Sequence, residues 1–127
     1  MATLPNRQLI VKLFDKEVTL DYPNTRGLIN ISIMKANISK QQYEAISNSN
    51  SADDTYIRFL IDCIAVLSVL APELEKTLNV KNYFELDPLD SSKLLKVYLK
   101  QIFPWMNEWQ NVLSSDPEEV AKKEKKD

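Results

Sequence analysis

Histidine is absent from all 127 residues, glycine occurs once (Gly27) and cysteine once (Cys63). Each scarcity excludes something. Without histidine there is no Ser-His-Asp or Cys-His pairing, and no imidazole to work as a base near neutral pH. One cysteine and no histidine cannot build a tetrahedral zinc site. A single glycine cannot make a GxxxxGK[ST] phosphate loop or a GxGxxG dinucleotide turn. Only carboxylates, lysine and tyrosine remain as catalytic groups, and no spacing marks a pair of them. The composition therefore points to a non-enzymatic chain that works by binding, with no cofactor and no metal.

Other absences narrow the class. A lone cysteine cannot close an intramolecular disulfide, which fits a reducing setting, and the opening MATLPNRQLI lacks a signal-peptide layout. The expected location is cytoplasmic. Net charge is −2 with 16 basic and 18 acidic residues, and no basic stripe appears. Nucleic-acid binders draw much of their affinity from such a stripe, so no nucleic-acid partner is expected. No apolar run reaches the ~20 residues of a membrane span, so no membrane partner is expected either.

What is present reads as an α+β, mostly α domain over residues 1–115, followed by a flexible charged tail over 116–127. Residues 1–7 are a loose lead-in. Two runs rich in β-favouring residues, QLIVKLF and EVTLDY, flank an Asp15-Lys16 break and predict a β-hairpin over 8–22. Leu9, Val11 and Leu13 fall on one face, as do Val18, Leu20 and Tyr22. Pro23 ends the hairpin and opens a helical part over 24–113. Arg26 to Asn37 fits a helix through Leu28, Ile31, Met34 and Ile38, but also a strand through Ile29, Ile31 and Ile33. An Asn24 or Thr25 N-cap favours helix.

Ser39 is expected to cap a short helix through Ile46, with Tyr43 and Ile46 inward. Asn48 to Asp54 is a loop, with Asp53 or Asp54 starting the next helix. Tyr56 to Leu70 is the most apolar stretch and predicts a central core helix, with Arg58 and Asp62 able to pair at i,i+4. Cys63 on it reads as a small buried apolar residue. Pro72 opens a short helical turn, residues 79–88 are irregular, and Asp90 or Ser91 caps the last helix. Pro104 should bend or interrupt that helix. Asp53/Asp54 and Asp87/Asp90 lack the register of a calcium loop and suit capping and turn roles. Lys93, Lys96 and Lys100 read as a solvated face.

The candidate interaction site is FPWMNEW, which holds Trp105, Met106 and Trp109. Two readings stand. Large aromatics can be the anchors that dock a terminal helix, or, with Met106 and Leu113, the apolar surface for a protein partner, with Trp109 the more exposed.

The order of elements resembles the tail assembly chaperones of long-tailed bacteriophages. The likeness is carried by QLIVKLFDKEVTLDY, the helix after PNTRG and the closing KLLKVYLKQIFPWMNEWQNVL. The resemblance implies a small, mostly helical, self-associating cytoplasmic protein that coats the tape-measure protein and recruits tail-tube subunits. It would be absent from the finished virion. It also implies a longer form made by frameshifting, for which the Lys122-Lys123 and Lys125-Lys126 pairs are candidate slippage sites. The alternative is a structural or connector component that stays in a virion.

Overall fold

A computed structural model describes residues 4–80 and 83–114. The charged segment 116–127, with its two lysine pairs, lies outside the described residues. Within the span expected as one globular domain, the described residues group into two compact units. One is drawn from Met1–Tyr22 and Val97–Asp127, the other from Pro23–Lys96. The architecture is α+β and mostly helical, with an N-terminal hairpin, as the sequence predicts.

In the first unit, strands β1 (Gln8–Leu13) and β2 (Lys16–Asp21) pair antiparallel, with Leu9 opposite Leu20 and Val11 opposite Val18. Val11, Leu13 and Leu20 are buried, whereas Ile10 on the other face is exposed. The alternation in the sequence thus sorts the two faces as expected. The turn does not fall at Asp15-Lys16. Leu13 pairs with Lys16, so the two-residue loop is Phe14-Asp15, at φ 50° and 64°. Two successive positive φ values are the mark of a type I′ turn, whose twist suits a hairpin but whose sterics favour Asn-Gly. Its absence from the residue types displaced the expected break by one position.

The same unit contains a π-helical turn (Tyr98–Ile102) and α6 (Phe103–Leu113). Pro104 interrupts the regular pattern as expected, and does so upstream of itself. Proline has no N–H to return to the preceding turn, so the backbone widens there, and the Phe103 N–H reaches back to the Tyr98 carbonyl. Pro104 then occupies the first turn of α6, where a missing donor costs nothing.

The second unit is built on α3 (Ala52–Leu70), against which α1 (Thr25–Ile38) and α2 (Tyr43–Ser47) pack. Seven consecutive α3 residues, Ile61 to Leu67, are buried, the all-round burial of a core helix. None of the described helices is long and apolar enough to cross a membrane. The helical reading of Arg26–Asn37 holds. Asn24 caps α1 by accepting a 2.8 Å bond from Gly27 N–H, Ile31 is buried, and Ile29 and Ile33 face outward.

Helix boundaries depart from expectation at three places, each for a capping reason. Ser39 does not start α2; it is the C-cap of α1, which closes in a Schellman motif. Gln41 N–H bonds the Ala36 carbonyl at 2.8 Å, Lys40 N–H bonds the Asn37 carbonyl at 3.2 Å, and Lys40 takes φ 53°. The cap of α3 is Ser51, whose hydroxyl accepts from Asp54 N–H, leaving Asp53 and Asp54 in the positive first turn. Helix α5 (Pro88–Val97) begins before Asp90. Asp87 accepts from Leu89 N–H at 2.9 Å and Pro88 takes the first helical position. Between them lie α4 (Glu73–Thr77), which follows Pro72, and a 3₁₀ turn, Tyr83–Glu85.

Candidate protein-interaction site

Trp105 and Trp109 are four residues apart, so α6 presents both on one face, and that face is covered by the hairpin unit's own residues. Trp105 Nε1 donates to the Asn6 carbonyl at 2.7 Å and Trp109 Nε1 donates to the same oxygen at 3.0 Å. One carbonyl with two lone pairs thus serves both indoles. Tyr22 lies edge-on to Trp105 at 5.5 Å and stacks on Trp109 at 5.0 Å. The Arg7 guanidinium sits 5.1 Å from the Trp109 ring centroid, within cation–π range. Burial raises the Tyr22 hydroxyl above its ordinary pKa of 10.0.

The expectation that Trp109 is the more exposed tryptophan is overturned. It is 3% exposed, against 6% for Trp105. Met106, on the flank of the same helix, is half-buried, and Leu113 is 54% exposed. The three candidate residues therefore divide. The two tryptophans anchor the hairpin to α6, and only the Met106 edge is open.

Asn6 and Arg7 were not distinguishable in the sequence from a loose lead-in. A backbone carbonyl carries no residue signature, and the sole hint was Asn6 itself. Its side chain accepts from Gln8 N–H at 3.0 Å in a local turn that sets the strand's first residue. Tyr22 was legible, as the last inward residue of the alternation.

In the second unit, the buried Asp62 does not pair with Arg58. It accepts from Tyr43 Oη at 2.5 Å and from Lys35 Nζ at 3.3 Å, tying α2 and α1 to α3. A carboxylate 3% exposed needs such partners, and residues from two other helices satisfy it better than one flexible neighbour on its own helix. Arg58 instead lies over the Phe59 ring at 5.3 Å. Lys35 also lies 5.4 Å from the Tyr43 ring centroid.

Cys63 is fully buried, as expected, and burial first, then the adjacent Asp62 charge, push its thiol up to about 12. A thiol so shifted supplies no nucleophile at neutral pH. Tyr83 donates to the Ala71 carbonyl at 2.6 Å, and its hydroxyl is raised by burial and by Glu75, Cys63 and Glu73. Among the described residues, no three His, Cys, Asp or Glu side chains come together in a way that could hold a metal ion. Asp87 caps α5, as expected of it, whereas Asp90 is neither cap nor turn residue: it lies within the first turn of α5, 3.9 Å from Lys93 on the surface. Lys93, Lys96 and Lys100 are all exposed. Comparison with models of known protein families, with curated proteins and with solved structures gives no match.

Proposed function

We propose that this chain is a non-enzymatic assembly factor of the phage tail chaperone kind, binding an extended tape-measure protein and tail-tube subunits in the host cytoplasm. The observation that carries the reading is the pairing of its first and last signature segments. The QLIVKLFDKEVTLDY hairpin and the FPWMNEW helix belong to one unit, joined by Tyr22, Trp105 and Trp109 over the Asn6 carbonyl. In this reading the tryptophans are the rigid base of the site. Met106 and Leu113, at the open edge of α6, are the adaptable contact with the client, a role suited to flexible or aliphatic side chains.

Co-expression with a phage tape-measure protein is the test, read by affinity capture and by mass spectrometry of purified particles. The expected result is a captured complex, weakened by Met106→Ser with Leu113→Ser, and particles free of this chain. Failure to capture that protein, or stoichiometric retention in finished particles, overturns the proposal; the second outcome would make the chain a structural component.

A further inference from the structure

Helix α1 is aliphatic on two opposite sides. Residues two apart on a helix of 3.6 residues per turn lie about 200° round from each other, so Ile29 and Ile33 both stand opposite the buried Ile31. They are 54% and 51% exposed, one turn apart, and form a stripe. Scattered surface isoleucines are ordinary, but a stripe on the side of a helix away from its core has no role in holding that helix down.

The charge within its own segment has one sign. From Pro23 to Gln42 the chain contains no acidic residue, although acids outnumber bases overall. The three cations in this run are Arg26, Lys35 and Lys40. Lys35 is committed to Asp62, while Arg26 and Lys40 are exposed, and exposed Asn30 and Asn37 fill the rest of the outer face.

We infer that the outer face of α1 docks an acidic amphipathic helix of a partner protein, its apolar side on Ile29 and Ile33 and its flanking carboxylates toward Arg26 and Lys40. This is the geometry in which an amphipathic segment meets an apolar surface through i, i+3 and i+4 anchors. The opposite charge steers encounter and selects against basic helices. The tail-assembly proposal puts its client on Met106 and Leu113 of α6; the α1 face belongs to another helix and stands or falls by a separate assay.

Two synthetic helical peptides of 21 residues are the probes, identical in a leucine seam, one flanked by glutamate and the other by lysine. Titration into the labelled full chain is followed by amide chemical shifts. The glutamate peptide is expected to bind with shifts centred on Arg26 to Asn37, and the lysine peptide to bind far more weakly. Ile29→Ser with Ile33→Ser should weaken binding on the order of tenfold, which is a modest loss of apolar burial. The fold should survive, because serine and isoleucine have similar helix propensities and both sites are exposed. Arg26→Glu should weaken binding too, without harm to the helix, since an acid is favourable in a first turn. Equal binding of both peptides, or unchanged binding by the substituted chains, overturns the proposal. So does a sedimentation mass showing that wild type self-associates and that the double variant does not, since the occupant would then be a second copy.

Discussion

Trp109→Ala removes a buried side chain that ties α6 to the hairpin. Truncating a buried tryptophan to alanine costs about 3–5 kcal/mol from lost transfer energy and the cavity left behind. Three specific contacts go with it here: the stacked Tyr22 ring, the overlying Arg7 and the 3.0 Å bond to Asn6. Ring stacking adds about 0.5–1.5 kcal/mol beyond area and a partly exposed cation–π contact about 0.5–1. The hydrogen bond adds little, because Asn6 is exposed and its carbonyl keeps Trp105 as a donor. Contacts of this kind are already within the measured cost of truncation, so they place the expected loss toward the top of that range, about 4–5 kcal/mol, a large share of the 5–15 kcal/mol that holds a domain folded.

Trp109→Phe separates the terms. It keeps a ring against Tyr22 and loses the N–H and part of the area, so about 1–2 kcal/mol is expected. It also leaves Trp105 as the sole tryptophan, a clean fluorescence probe of the same contact. Urea unfolding followed by that fluorescence gives both values. A loss under about 1 kcal/mol for Trp109→Ala, far below the core value, would refute the anchoring role and return Trp109 to the surface.

Four further outcomes follow from the second unit. Gly27→Ala should lower the melting temperature, although alanine normally gains about 1 kcal/mol over glycine in a helix, because the added Cβ would lie 2.6 Å from Pro23 Cβ. Lys40→Gly should raise it, since a glycine accepts the φ of 53° at C′ without the roughly 1 kcal/mol steric cost. Asp62→Ala should cost about 3 kcal/mol in urea unfolding, the low end for a broken buried pair because Lys35 can turn to water; Tyr43→Phe should cost less, and the reverse order would refute the three-helix tie. The Cys63 thiol, raised from 9.0 to about 12, stays neutral in the folded chain while the unfolded chain ionises. Its contribution to stability is whole below pH 9 and is lost as pH climbs toward 12, with Tyr83 acting in the same direction. A thiol reagent at pH 8 should therefore label Cys63 only after unfolding, and rapid labelling of the native chain would contradict its burial.

The features legible in advance were those that a period or a composition encodes. Alternation in QLIVKLF and EVTLDY fixed which faces of the hairpin are inward, and the apolar stretch around Cys63, broken only by Arg58, Asp62 and Ser68, marked the core helix. What escaped was backbone chemistry. The Phe14-Asp15 turn, the Schellman closure at Lys40 and the double acceptor at Asn6 each depend on a φ angle or a carbonyl, and none has its preferred residue. With a single glycine in the chain, left-handed positions at residues 14, 15, 40, 41 and 79 are filled by Phe, Asp, Lys, Gln and Asn. The usual Gly punctuation of turns was therefore missing where the turns occur.

Helix α1 is the least legible element for a related reason. Its sequence satisfied two periods at once, because Ile31 belongs to the inner helical stripe and Ile29 and Ile33 to the outer one. A strand would need all three on one side; the Asn24 cap on Gly27 N–H decides for helix and separates them. The two isoleucines that made the sequence ambiguous are thereby left in water at 54% and 51% exposure. An ambiguity of period at a capped helix is thus itself a signal. Aliphatic residues that the fold does not bury, on a helix already anchored by Ile31 and by the Lys35–Asp62 pair, are the ones the proposed partner helix would cover.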